Sequence, residues 1–310
     1  MDESNQLIEA VLFNFQEIRN SGNEGISRAT EWLQNFYKRK ESIITLLSIL
    51  QRNSEKIFRL HAAIGLKDSI NLNWESLSIE EQDSIYQILL NILMSDNIND
   101  LRRTLIIIMT NIMHYSYIRL IPPTFSLIQQ NIDNPAKIPC LLSISQIICI
   151  KEMASQECAQ QLMIALLFKA YQISEISTHL LGFETMILAL RNQILPDITI
   201  FWEHLLELFE PCAAKIEHLT LLCSHFNTLI DEFSNLIDID SLIQKLLPIF
   251  YLPTVDDNIL LPIFSIIETL CEQFLDYFDE LNIIPQILHL SFHLLFKFFD
   301  PDEPTKTQFF

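Results

Sequence analysis

Apolar residues recur at helical spacing along almost the whole chain, and this periodicity is the feature that most constrains the fold. In the first such segment Leu7, Val11, Phe15 and Ile18 fall on one face, after a Ser4 that suits an N-cap. Alternating apolar and polar residues bounded by turn residues, the pattern of a half-buried strand, are not found. The sequence therefore predicts an all-α protein.

The spacing of the predicted helices indicates a repeat protein. Short polar segments such as "NSGNEG", "QRNSE" and "SDNIND" join helices of ordinary length, and in the first of them Gly22 and Gly25 are expected to supply the turn. Short connections make neighbouring helices antiparallel, and one pair occupies about 40 residues. We therefore predict a right-handed α-solenoid of HEAT-type antiparallel helix pairs. The predicted helices span residues 27–37, 41–50, 79–94 and 100–115, with another starting at 54.

Proline usage divides the chain. No proline precedes Pro122, whereas "IPP", "NPAKIP", "LPD" and "EPC" interrupt the pattern after it. We predict helical repeats over residues 1–120, further HEAT-like repeats over 121–300 and a disordered tail over 301–310.

Glycine is too scarce for most phosphate-binding or nucleophile-elbow chemistry. Only four glycines occur in 310 residues, and none forms GxGxxG, GxxxxGK[ST] or GxSxG. No catalytic constellation stands out, so we expect neither an enzyme nor a cofactor. His289 and His293 have the spacing of metal ligands, but no glutamate lies between them and no third ligand follows, so no metal site is expected.

The formal net charge of -19 argues against direct binding of nucleic acid, which needs clustered Lys and Arg. A basic partner protein suits such a surface, although acidity also keeps an apolar protein soluble. On one face of the array the acidic residues would receive a basic patch, and on the other they would be solvated. The candidates are Asp231, Glu232, Asp238, Asp240, Asp256 and Asp257.

The remaining composition is typical of a buried, reduced, intracellular core. Six cysteines form no CxxC pair, so we expect buried free thiols. The acidic N-terminus has no hydrophobic leader, and the long uncharged stretch at residues 104–118 is short for a membrane span. We expect a buried helix there and no membrane insertion.

Within residues 1–120 three stretches resemble the B helices of the importin-β (karyopherin) superfamily in order and spacing, which implies importin-β N-terminal-like HEAT repeats over 1–120. "FRLHAAIGLKDSINLNW" is similar to the second B helix, "SRATEWLQNF" to the first and "DLRRTLIIIMTNI" to the third. The segment "ATEWLQNF" resembles the corresponding segment of the transportin-SR branch of this superfamily. The residues that carry the resemblance are Ala29, Trp32, Leu33, Phe36, Phe58, Arg59, Ala62, Leu66, Lys67, Trp74, Leu101, Arg102, Leu105 and Ile108.

The resemblance implies a nuclear transport receptor, or the N-terminal part of one, because family members are generally far longer. Inner B helices would bind the GTPase Ran in its GTP form, outer A helices would contact phenylalanine-glycine nucleoporins, and protein cargo would pass between cytoplasm and nucleus through the nuclear pore. The implied Ran-binding candidates are Arg59, Lys67, Asp68, Asn71 and Arg102. These charges could instead cap helix ends or bridge repeats. The alternative function is a HEAT-repeat scaffold or adaptor without Ran dependence.

Overall fold

A computed structural model describes residues 3–52, 55–95, 99–149, 157–250 and 257–280. Within these ranges the chain forms α-helices and short 3-10 turns and no strand, which confirms the predicted all-α class. The α-helices are α1 Glu3–Asn20, α2 Asn23–Tyr37, α3 Glu41–Arg52, α4 Lys56–Asn73, α5 Ile79–Ser95, α6 Asn99–Asn131, α7 Ile138–Ile148, α8 Glu157–Tyr171, α9 Ile176–Arg191, α10 Trp202–Glu207, α11 Phe209–Cys212, α12 Ile216–Phe233, α13 Ile239–Phe250 and α14 Asp257–Glu280. The predicted tail at 301–310 lies outside the described residues.

The first connection is tighter than its sequence suggests. α1 ends at Asn20 and α2 begins at Asn23, so Gly25 lies inside α2 rather than in the turn. A Cβ at Gly25 would lie 2.5 Å from Cβ of Ser21. The prediction that Gly25 supplies the turn is therefore wrong: this glycine is needed for space, not for a special backbone angle.

The chain divides into two compact units. The first comprises Met1–Ser174 with Glu184–Pro196, and the second comprises Glu175–Phe183 with Asp197–Phe310. In the first unit α1 packs on α2 and α3 on α4, while α2, α4 and α6 contact one another in sequence. In the second unit α12 packs on both α11 and α14. The predicted boundary at residue 120 stays a prediction.

α6 consists of two helical segments joined without a loop. Ser116 leaves helical geometry, with φ −141° and ψ 25°, directly after Tyr115, where the sequence predicted a helix to end. Pro122 and Pro123 follow in the second segment, where each removes a backbone donor. The kink turns the third B-type helix directly into the next element.

Side-chain hydrogen bonds between successive pairs confirm a repeat of about 40 residues. The bonded residues are 36 to 43 positions apart, the length of one helix pair. Each bond therefore joins one helix pair, or the turn that follows it, to the next pair within the same unit. The bonds are Asn73 to Tyr37, Tyr86 with Thr124, Asn111 to Asn71, Arg119 to Gln82, Lys137 to Met94, Gln146 to Thr185, Lys169 to Asp133, Trp202 to Ser241 and Asn227 to Ser265.

The long apolar segment Leu101–Asn131 buries one of its faces. Over Leu101–Asn131 the chain is long and apolar enough to cross a membrane by length and composition, but core helices pass the same test. Leu105, Ile108 and Ile112 are fully buried within the first unit. The expectation of a buried helix there therefore holds for one face only, because Ile107, Tyr115 and Ile118 are exposed.

Candidate partner-binding surface

Helices α4 and α6 bring most of the predicted Ran-binding residues to one exposed surface. Asp68 and Asn71 point to solvent beside the half-buried Lys67 on α4. The amide of Asn111 on α6 donates to Oδ1 of Asn71 at 3.2 Å, which fixes the register of the two helices. We call this surface the B-helix face and define it by Ile64, Lys67, Asp68, Asn71, Ile107 and Asn111.

The ammonium group of Lys67 is available to a binding partner. Its side chain is half-buried, and within the described part of the chain its ammonium group has no hydrogen bond or ion pair. Burial of the aliphatic stem restricts its rotamers, so less side-chain entropy would be lost when an acceptor arrives. An anionic or carbonyl-rich partner surface fits this position.

Asp68 lies near Tyr37, the last residue of α2. Burial, with a smaller contribution from the Asp68 carboxylate, raises the pKa of Tyr37 to about 12. The Tyr37 ring occupies the space above Gly65, where a Cβ would lie 2.6 Å from the ring carbon Cζ. Gly65 therefore allows α2 and α4 to approach closely and positions Asp68 at their junction.

Arg59 is engaged within the chain. Its Nε donates to the carbonyl oxygen of Leu50 at 2.9 Å, near the C-terminus of α3. Such a contact satisfies one of the carbonyls that a helix end leaves without a partner. Here the sequence alternative of a helix-capping charge describes what Arg59 does in the structure.

Arg102 is placed differently from Arg59 and Lys67. It is half-buried in the second turn of α6, and its Nε atom is shielded from water without an acceptor. A buried donor without an acceptor costs free energy, so this side chain would gain from an acceptor supplied from outside. Arg102 precedes Asn111 by nine residues on α6, which places it more than two helical turns from the Asn71–Asn111 contact.

The acidic candidates gather around the connection between α12 and α13. Asp231 and Glu232 are exposed in the last turn of α12, and Asp240 is exposed at the start of α13. Asp238 accepts hydrogen bonds from the backbone and hydroxyl of Ser241, which lower its pKa and cap α13. Asp256 lies outside the described residues, as does the side chain of Asp257.

Most of the net negative charge belongs to the second unit. All but four of the 20 Lys and Arg residues lie in the first unit, whereas the 39 Asp and Glu residues are divided almost evenly between the units. The second unit is therefore strongly acidic and the first close to neutral, a difference that the net charge alone conceals.

The thiols are reduced and mostly inaccessible. None of the six cysteines, all of which lie in the described ranges, forms a disulfide. The prediction of buried thiols is confirmed for four of them and is wrong for Cys158, which is exposed, while Cys271 is half-buried. Burial raises the pKa of Cys212 to about 11 and that of Cys223 to about 12. His289 and His293 lie outside the described residues. Across the described ranges no group of three or more His, Cys, Asp or Glu side chains could hold a metal ion.

The residues that carry the family resemblance are mainly core residues. Ala62, Leu66 and Leu105 have no exposed surface, and Phe36 and Trp74 are nearly as buried. Residues 29–116 match the family model described as Importin-beta N-terminal domain. This match supports membership of the importin-β superfamily. In the importin-β-like region the matching residues are thus mainly those that pack α2, α4 and α6 together. This packing positions the B-helix face. No curated protein matches the chain.

Sequence reasoning missed three members of the B-helix face. Ile64 and Ile107 are half exposed although their helix pattern suggests core positions, and Asn111 joins Asn71. Asn111 follows Asn71 by 40 positions, the repeat length, so pairing polar residues at that separation would have found it.

Proposed function

We propose that the chain acts as a nuclear transport receptor, or as the N-terminal part of one, that binds Ran in its GTP form and protein cargo. The observation that carries this proposal is the match of residues 29–116 to the importin-β N-terminal domain. The B-helix face supports it, because Asp68 is exposed and Lys67 half-buried there, beside the hydrogen bond between Asn71 and Asn111. Such a receptor would shuttle between cytoplasm and nucleus. Membership of the transportin-SR branch is part of the same proposal.

Lys67 is the residue on which this proposal depends most. Arg59 and Asn71 already have acceptors or donors within the chain, whereas Lys67 and Arg102 have none among the described residues. A partner carboxylate or carbonyl at Lys67 would add a charge-assisted hydrogen bond without breaking an existing one. Charge reversal at this position should therefore weaken binding without unfolding the protein.

The test is direct binding of the purified full chain to Ran loaded with a non-hydrolysable GTP analogue and, in parallel, with GDP. We expect preference for the GTP form, and a loss of about tenfold or more in affinity with Lys67→Glu. Lys245→Glu, which reverses another half-buried lysine but in the second unit, is the matched control and should bind like the unmodified chain. Equal or absent binding of both nucleotide forms by folded protein would eliminate Ran as the partner.

The alternative function is a HEAT-repeat scaffold without Ran dependence. The engagement of Arg59 with Leu50 and of Asn71 with Asn111 favours it, because two of the five proposed Ran contacts already serve the fold. Under this alternative the chain is folded and monodisperse yet insensitive to the nucleotide state of Ran.

A basic cargo would fit the second unit. Asp231, Glu232 and Asp240 are exposed there, and between positions 197 and 280 the sequence has two Lys, Lys215 and Lys245, and no Arg. Attraction between such a surface and a basic segment weakens with salt, since the charges are exposed. Cargo affinity that falls about tenfold between roughly 50 and 300 mM salt, and less in an Asp231→Asn/Glu232→Gln variant, would support this assignment.

Phenylalanine-glycine nucleoporins complete the proposed set of partners. Phe13 on α1 and Ile44 on α3 are strongly exposed on A-type helices, where apolar contacts with phenylalanine side chains could form. Loss of binding to a phenylalanine-glycine repeat fragment in the Phe13→Ser/Ile44→Ser double variant tests this part.

A further inference from the structure

An open groove of about 340 Å³ lies where α5 begins and α6 kinks. Its lining includes Ile79 and Gln82 from α5 and residues 115–119 from α6. Ser116 leaves helical geometry in the middle of this lining, so Tyr115 and Tyr117 do not follow one continuous helix. The kink therefore creates the groove.

The groove is unusually apolar for a surface exposed to water. Ile79 is 62% exposed, Tyr115 55% and Ile118 76%, and all three belong to its lining. Single exposed apolar residues are common, but several around one concave site indicate an interaction surface. The volume suits one or two large apolar side chains.

Arg119 makes the groove rigid. Its Nη2 donates to Oε1 of Gln82 at 2.7 Å, and its Nη1 lies 3.3 Å from both the carbonyl oxygen of Ile79 and a carboxylate oxygen of Asp83. These contacts join the first turns of α5 to the segment after the kink. A preformed site loses less entropy on binding than a mobile one.

The rim of the groove is acidic once these contacts are counted. Asp83 pairs with Arg119, and the carboxylates of Glu75 and Glu80 are exposed. Glu80 directly follows the lining residue Ile79, and Glu75 directly follows Trp74, whose carbonyl oxygen accepts a hydrogen bond from the lining residue Gln82. Neither Glu75 nor Glu80 has an ion pair among the described residues, whereas Glu81 is paired with Lys40 at 2.9 Å. Charge complementarity thus favours an incoming segment with positive charge beside its apolar residues.

We propose that this groove binds a short peptide segment of a partner protein in which one or two large apolar side chains are flanked by Lys or Arg. The apolar side chains would fill the space between Ile79 and Ile118, and the basic flanks would lie near Glu75 and Glu80. None of the residues that line the groove belongs to the B-helix face, so the proposal does not depend on Ran binding.

The test is selection of a phage-displayed library of random 12-residue peptides on the immobilised full chain. The enriched peptides are then synthesised with a fluorescein label, and their affinity is measured by fluorescence anisotropy. We expect enriched peptides to combine large apolar residues with Lys or Arg. Ile118→Ser should weaken their binding by about tenfold or more, as truncation of a central apolar contact does.

Two controls make the outcome decisive. Leu261→Ser, which truncates another strongly exposed apolar residue but in the second unit, should leave the affinity unchanged. Glu80→Gln should weaken binding by a few fold and reduce its salt dependence. Enrichment of neutral or acidic peptides overturns the proposed charge preference, and peptides whose affinity survives Ile118→Ser overturn the groove as their site. Basic peptides that bind the acidic second unit would also keep their affinity in Ile118→Ser and would therefore overturn the groove as their site.

Discussion

The ring of Tyr37 on α2 lies directly above Gly65 on α4, in space that any larger residue at position 65 would need. Tyr37 also accepts, through its carbonyl oxygen, a hydrogen bond of 3.0 Å from the side chain of Asn73. Two neighbouring repeats therefore meet at one tyrosine. The B-helix face depends on this contact because Lys67, Asp68 and Asn71 follow Gly65 within two turns.

Gly65→Ala should have opposite effects on stability in two backgrounds. With Tyr37 present, the added methyl group meets the ring and the overpacking costs about 1–3 kcal/mol, which outweighs a helix-propensity gain of about 1 kcal/mol. In a Tyr37→Ala background the clash is gone and the same substitution should stabilise. Urea unfolding of the four proteins of this double-mutant cycle measures both effects, and the same sign in both backgrounds would contradict the contact.

The buried pair Tyr86 and Thr124 predicts an asymmetric response to removal of either hydroxyl. The two hydroxyl oxygens are 2.7 Å apart, and the Thr124 hydroxyl also donates to the carbonyl oxygen of Leu120. Tyr86→Phe leaves Thr124 bonded and should cost about 0.5–1.5 kcal/mol. Thr124→Val leaves the Tyr86 hydroxyl buried without a partner and should cost about 1–3 kcal/mol. Chemical denaturation distinguishes the two, and equal costs would indicate that the hydroxyls do not interact.

Asp238 should make the stability of α13 sensitive to acid. Hydrogen bonds from the hydroxyl and backbone of Ser241 lower the pKa of Asp238 below its usual range. Because the folded-state pKa is depressed, this stabilisation is complete above the unfolded-state pKa and is lost as the pH falls through the folded-state value. Asp238→Asn keeps an N-cap acceptor and should remove this acid dependence, whereas Asp238→Ala should cost about 0.5–2 kcal/mol at neutral pH. Thermal unfolding from about pH 7 to pH 2.5 compares the three proteins.

Substitution of Arg59 should change the stability of the protein, whereas substitution of Lys67 should change binding but not stability. Arg59→Ala removes the contact with the carbonyl oxygen of Leu50 and should lower the free energy of unfolding by about 1–2 kcal/mol. Lys67→Ala removes no intramolecular bond among the described residues and should change it by less than about 0.5 kcal/mol. Calorimetry on both variants, run beside the Ran measurement, tests the division. A destabilised Lys67→Ala protein would mean that Lys67 serves the fold.

Thiol labelling should follow burial. Cys158 is exposed near the start of α8, whereas Cys140, Cys149, Cys212 and Cys223 are buried. Burial raises the pKa of Cys149, which keeps it protonated and unreactive. At about pH 8 one thiol should react fast with a chromogenic disulfide, and Cys158→Ser should remove that phase. Rapid reaction of several thiols in the native protein would argue against the buried assignments.

The fold class and the repeat length could be read from the sequence for a simple reason. Apolar residues three and four apart face one side of a helix, and short polar connections force antiparallel pairs, so both follow from local rules. The end of the third B-type helix at Tyr115 was predicted from the same local rules. Gly25 was misread because a glycine near a turn looks the same whether it supplies a backbone angle or space for Ser21.

The sequence by itself determined that the chain is helical, that it repeats about every 40 residues and that three stretches resemble importin-β B helices. Only the tertiary structure decided which charges are available. Arg59 and Lys67 occupy comparable motif positions, yet one bonds to the end of α3 and the other has no partner among the described residues. Availability depends on what packs beside a side chain from the next helix, tens of residues away, and no local pattern contains that information.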